Sequence, residues 1–374
     1  MIEAQRSRAA SADRPSAPDW RGLRLGTLAT GRDNNLNLIR MLAAIGVLIS
    51  HAVPISQGPE FVEPLKELTG YSLGTLCVMV FFVISGFLIT ASYERTSSRR
   101  SFLLARGLRL IPGLLINLLF VAFVLGVVMT RLPVAQYLSG SEPYAVVLRN
   151  MALVPLVYEL PGVLDDAPYT AIVGSIWTLR HEVICYAAVF LAGLLGIWQR
   201  QLWSVLALAA YGMLWLAITV ADPAMPTLAR QFVGLSMPFA IGVAFYVWRE
   251  ALPLHWLGVA LTATLAWITA QSLFYPITLS LAIGFGTFYL AYLPRQRWLL
   301  GYNRLGDYSY GTYLYAFPLQ GAAVWAFGMQ TPLENILYSL PPTLLLSVLS
   351  WHLVEGPAMA AKGRILRRIT PKVA

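Results

Sequence analysis

"NLNLIRMLAAIGVLISHAVPI", Asn35 to Ile55, is apolar almost throughout, yet it carries a cation at Arg40 and an imidazole at His51. A transmembrane helix needs about 20 predominantly apolar residues, so this run is long enough to span a bilayer. Ionisable groups inside a membrane are costly and therefore face a bundle interior or a wet cavity. Eleven residues of α-helix rise about 16 Å and turn about 1100°, which brings the two side chains to within about 20° of one face. Arg40 and His51 therefore line one groove, one near the inner headgroups and one in the outer part of the span. Asn37 and Ala44 share that face, so the stripe is polar or small along its length.

The rest of the chain repeats the pattern. Hydrophobic residues make up 57% of the 374 and charged residues 12%, against about 25% charged in soluble domains. The sequence predicts an all-α polytopic membrane protein with spans at 36–56, 72–92, 109–130, 174–195, 202–220, 228–248, 254–273, 275–293, 308–328 and 333–353. A shorter apolar helix near 145–157 is expected to lie in the interface or re-enter. No internal repeat of the kind that marks inverted-repeat transporters stands out.

Cytoplasmic loops carry the excess of Lys and Arg. With the N-terminus inside, the inward segments hold Arg95, Arg99, Arg100, Arg106, Arg109, Arg200, Arg249, Arg295, Arg297 and Arg304, and the outward ones only Lys66, Arg131, Arg149 and Arg230. Both termini are therefore expected in the cytoplasm. The net charge of +9 reads as a topology signal spread along membrane edges, and nucleic acid is not an expected partner. Residues 1–33 read as a disordered cytoplasmic tail, 34–357 as the membrane domain, and 358–374, with Lys362, Arg364, Arg367, Arg368 and Lys372, as a basic cytoplasmic tail. Cys77 and Cys185 fall within spans, where they fit as small buried residues. His51, His181, His255 and His352 lack ligand spacing, so no metal is expected.

Three further sites carry polar residues where lipid would forbid them. In "GSIWTLRHEVICYAAVF", Ser175, Thr178, Glu182 and Tyr186 follow the i, i+3, i+4 spacing of one helical face. Placed from outside to inside, this helix brings Glu182 to the depth of His51, where a carboxylate raises imidazole basicity and prepares a general base. Arg180 and His181 point elsewhere, either toward an outer-loop carboxylate or toward substrate. In "SSRRSFLLARGLRLIPGLL", Arg106 and Arg109 share a face at the cytoplasmic mouth. Guanidinium groups capture phosphate bidentately, and with Arg40 these two would form an anion-binding vestibule. The third site is "VFFVISGFLIT", where Ser85 and Gly86 interrupt a Phe-rich span, which suits close helix packing as well as a substrate role. In "GDYSYGTYLYAFPLQ", Pro318 is expected to kink the ninth span, while Tyr313 and its neighbours suit a sugar cavity or the interface.

These stretches together resemble the acyltransferase 3 family of bacterial membrane acyltransferases, in particular its exopolysaccharide and O-antigen O-acetyltransferases. Arg40 and His51 match the family's Arg, ten residues, His signature, and "FFVISGF" its Phe-Phe-x-x-Ser-Gly-Phe element. Arg106, Arg109 and Pro112 match Arg-x-x-Arg-x-x-Pro; "WTLRHE", with Trp177 and Glu182, matches Trp-x-Leu-x-x-Glu; "GDYSYGTYLY" and "VEGP" match the final blocks. The resemblance runs from about Asn34 to Pro357. It implies ten helices in a bacterial inner membrane and an acyl-CoA donor, acetyl-CoA first, on the cytoplasmic side. The acceptor it implies is a hydroxyl of a cell-surface or lipid-linked carbohydrate, with His51 as base.

Two departures stand out. Ala316 occupies a position where many relatives carry His, and the C-terminal hydrolase-like domain of some relatives is not expected in so short a remainder. Within this reading Arg40, Arg106 and Arg109 hold the donor's phosphates and Glu182 orients His51, while Ser85, Gly86, Trp177, Thr178 and Tyr313 give substrate or structural support. A covalently acylated His51 is a second route to the same product. The reading from a different class is a proton-coupled transporter that uses the same intramembrane His, Glu and Arg as a relay.

Overall fold

A computed structural model describes residues 23–31, 33–96, 98–221, 225–293 and 297–369. Among them there is no named strand, and the β-type pairing is an isolated bridge between Arg24 and Pro253. Helices occupy all ten predicted stretches: α1 (Leu36–Gln57), α2 (Leu73–Arg95), α3 (Arg99–Phe120), then, beyond the short α4 (Glu142–Ala152), α5 (Trp177–Leu194), α6 (Gln201–Ala221), α7 (Thr227–Val247), α8 (Trp256–Ile268), α9 (Tyr275–Tyr292), α10 (Ser309–Phe327) and α11 (Pro332–Ser350). A final helix, α12, covers Lys362–Ile369. Six are both long and apolar enough to cross a membrane: α1, α2, α3 with its extension to Met129, α6, α7, and α11 with its continuation to Arg367. Helix α8 is apolar but shorter, and the other three fall outside that set; α5 dilutes its apolar run with Arg180, His181 and Glu182.

Local chemistry sets several boundaries. Ser72 and Ser98 cap α2 and α3 by accepting from the backbone N–H of Thr75 and Ser101, both at 3.1 Å, which satisfies donors that a helix N-terminus leaves open. Thr331 and Glu334 form a reciprocal capping box at the start of α11. Pro112, Pro318, Pro341 and Pro342 lie inside helices. The expected apolar segment near 145–157 is only partly helical, since α4 ends at Ala152 with Leu153 at positive φ.

Helix α1 is surrounded by α2, α10 and α11, and α2 in turn packs along α7. The α2–α7 contact depends on two glycines. A Cβ on Gly86 would run into the carbonyl oxygen of Phe239, and one on Gly242 into that of Val83. Gly86 is thus a packing residue, which settles one of the two readings its sequence position allowed. Helix α11 meets α10 through a buried polar row in which Ser339, Thr343 and Ser347 each donate to the carbonyl four residues earlier.

Described structure extends into both segments that the sequence reads as tails. Leu23 to Leu28 pack on the α7–α8 connection, with Leu25 N–H bonded to Leu252 O at 2.9 Å and Leu254 N–H to Leu23 O at 2.8 Å. The packed domain therefore begins by Leu23, while the expected disorder of residues 1–22 concerns positions outside the described residues. At the other end, the chain leaves α11 through a π-helical turn, Trp351–Glu355, and a helical segment, Gly356–Ala360. That segment and α12 pack on α3.

Candidate active site: two adjoining cavities

Two cavities lie end to end beside α1. The inner one, about 300 Å³, is lined by Arg40, Ser85, Arg106, Arg109, Glu182 and Tyr186, among others. The outer one, about 210 Å³, is lined by His51, Glu63, Lys66 and Trp177. Both share Val78, Thr178 and Tyr313 in their walls. Arg40 and His51 thus fall in neighbouring chambers, in the order their helical spacing requires.

The arginines of the inner cavity are not free. Arg40 pairs with Asp307, which also accepts from Arg109 Nη2 at 2.7 Å; Arg109 Nη1 lies 3.4 Å from Glu355 Oε2. Asp307 sits just before α10, and its other oxygen accepts from Ser309 at 2.6 Å. Burial pushes the Asp307 carboxyl up, but Arg109 and Arg40 outweigh it and hold it down at about 2, so it stays anionic. Arg109 also lies over the rings of Tyr310 and Trp351, at 5.4 and 5.9 Å. Arg106 differs from both: its Nε is buried without a hydrogen-bond partner, and it shares the cavity wall with Glu182 and Tyr186.

Glu182 is not the partner of His51 that its expected depth suggested. Its Oε1 accepts from Ser85 Oγ at 2.9 Å and from Tyr186 OH, all within the inner cavity. The level of the imidazole is that of Trp177 and Thr178, and Glu182 lies about one turn, roughly 6 Å, further in. His51 Nδ1 is buried with no hydrogen-bond partner, and the ring meets Phe317 edge-on at 5.1 Å. Phe317 follows the departure at Ala316, so an aromatic edge borders the imidazole.

Tyr313 and Thr178 lie in the wall that the two chambers share. Their hydroxyls are 2.5 Å apart, and Tyr313 OH donates to Ser175 O at 3.0 Å. Arg180 and His181 do point elsewhere, but among the described residues neither pairs with a carboxylate. His181 Nδ1 is 2.8 Å from Trp177 O and its ring stacks on Phe232, while Arg180 Nε is buried without a partner.

The sequence reading passed over three groups. Asp307 lies just before α10 and Glu355 in the turn after α11, and the need of buried guanidinium groups for counter-charges was the signal that pointed to them. The third is Glu63, between α1 and α2, which accepts from Ser50, next to His51, and from Leu73 N–H at 3.0 Å. It brings a carboxylate into the outer cavity.

Among known protein families, the model of an acyltransferase domain matches residues 33–352. The chain belongs to the acyltransferase 3 family. Among its relatives, nodulation protein 10 of Rhizobium leguminosarum bv. viciae is 30% identical over 375 residues, covering 91% of this chain and 97% of the relative. The O-acetyl transferase of Shigella phage Sf6 is 27% identical over 353 residues, covering 91% and 98%. No solved structure matches the chain. Membership in this acyltransferase family makes the protein an acyl-transferring membrane enzyme. Neither relative is described as a transporter, so the transporter reading finds no support.

Proposed function

We propose that the protein transfers an acetyl group from acetyl-CoA to a hydroxyl of a cell-surface or lipid-linked carbohydrate. The helices of all ten predicted stretches cross a bacterial inner membrane in this reading, and both termini face the cytoplasm. The observation that carries it is the shared wall of the two cavities: a chamber rich in guanidinium groups adjoins a chamber holding an imidazole. The family match and the name of the phage relative supply the reaction class and the acetyl group.

The donor's nucleotide end occupies the inner mouth. Arg106 meets its phosphates, and Arg40 and Arg109 add the N–H groups that Asp307 and Glu355 leave unused. The pantetheine arm runs along α1, passes Thr178 and Tyr313, and brings the thioester to His51, about 16 Å from Arg40 by helical rise. The acceptor enters from the outer side. His51 takes the hydroxyl proton as the oxygen attacks the thioester carbonyl carbon; the C–S bond breaks, and the proton passes to the departing sulfur. The ester leaves outward and the thiol inward. Holding both reactants in adjoining chambers lowers the entropic part of the barrier.

The test is acetyl-CoA binding and thiol release by purified protein in nanodiscs. Wild type binds the donor and cleaves it slowly, whereas His51→Ala binds with equal affinity and does not cleave. Failure of folded wild-type protein to bind acetyl-CoA would sink the donor assignment.

A further inference from the structure

The inner cavity poses a problem of charge. A donor whose nucleotide end carries several phosphates needs a positive site, yet the three arginines here face three carboxylates. Asp307 and Glu355 engage Arg40 and Arg109, and Glu182 lies in the same wall as Arg106, near enough to act on its charge. By residue type this set is neutral. One further cation completes the lining: Lys362, the first residue of α12. Among the described residues no salt bridge engages it. Met359, in the segment just before it, lines the same cavity.

Lys362 lies beyond residues 33–352 that match the family. It arrives because the chain, after the π-helical turn at Trp351–Glu355, continues as helix and packs back onto α3, the helix that carries Arg106. We propose that Lys362 is a phosphate ligand for the donor and that the C-terminal helix is a wall of the donor site. A lysine ammonium is a mobile point charge well suited to a phosphate cluster, whereas Arg40 and Arg109 are held by their carboxylates. The proposal rests on the acyl-CoA reading above. Phosphate could also reach this lysine from a lipid headgroup at the membrane surface, and the experiment separates the two sources.

Dissociation constants of acetyl-CoA and of adenosine 3′,5′-bisphosphate, the phosphate-bearing end of the donor, would be measured for wild type, Lys362→Gln and Lys362→Arg. Each protein is placed in nanodiscs of phosphatidylcholine alone and of phosphatidylcholine with phosphatidylglycerol. Lys362→Gln is expected to weaken both ligands about tenfold, equal to about 1.4 kcal/mol, in either lipid, with the melting temperature unchanged. Lys362→Arg is expected to restore most of the loss. Equal affinity of wild type and Lys362→Gln for both ligands overturns the proposal and leaves the acyl-CoA reading intact. A loss seen only with phosphatidylglycerol assigns Lys362 to the lipid surface and overturns it too. Absence of acetyl-CoA binding by folded wild type removes both readings together.

Discussion

The inner and outer cavities lie side by side and treat charge in opposite ways. In the inner one, Arg40, Asp307, Arg109 and Glu355 form a connected set that joins α1, α3, the start of α10 and the turn after α11. In the outer one, His51 has an unpartnered Nδ1 and an aromatic edge for company. The first arrangement fixes charges in place at the cost of burying them. The second leaves an imidazole nitrogen unencumbered, which suits the proton exchange proposed for His51. The contrast teaches that polar residues in these spans differ in whether their charge is already met by a neighbour.

Removing the shared carboxylate is the harshest test of that difference. Asp307→Ala leaves two guanidinium groups short of counter-charge, and breaking a buried pair in this way costs about 3–5 kcal/mol. A large fall in melting temperature, together with loss of donor binding, is the expected outcome; an unchanged melting temperature would show that the network is dispensable. His51→Ala should spare stability and lower kcat by about 10²- to 10⁴-fold, with donor affinity unchanged. A joint loss of affinity and stability would give His51 a structural role instead.

Neighbouring positions in α2 sharpen the comparison on a smaller scale. Gly86→Leu drives a side chain into the Phe239 backbone and should destabilise by about 1–3 kcal/mol or more, read by thermal unfolding. Ser85→Ala, one residue away, should leave unfolding nearly unchanged and alter turnover through Glu182. A modest effect is expected from Tyr313→Phe, which removes a hydroxyl bonded to Thr178 and Ser175 and costs about 0.5–1.5 kcal/mol. If this shared wall governs passage of the pantetheine arm, kcat for acetyl-CoA changes in this variant while the affinity for adenosine 3′,5′-bisphosphate does not.

How far the sequence foretold this follows from the range of each signal. The helices were legible because each rests on its own apolar run, and the relation of Arg40 to His51 because one helix carries both. Ser85 and Gly86 could not be told apart by composition, yet side chains at successive helix positions point about 100° apart, so one faces Glu182 and the other a neighbouring backbone. The depth of Glu182 was misjudged by about a turn, since it required aligning two helices whose entry points the sequence gives only approximately. Asp307 and Glu355 were read as parts of late motifs, without a role. Their partners lie 198 to 267 residues away, and no local pattern reports a contact of that kind. Lys362 was assigned to a tail because basic residues after the last span look alike whether or not they fold back.

The shared carboxylate also has a consequence for the order in which the chain is made. Arg40 and Arg109 leave the ribosome long before Asp307, which follows them by 267 and 198 residues. At about 5–20 residues per second, the delay is on the order of 10 to 50 s. During that interval the early helices hold guanidinium groups whose eventual counter-charge has not been synthesised. The carboxylate that joins α1 to α3 thus arrives only with the start of α10, so the link between these two early helices is completed late in synthesis.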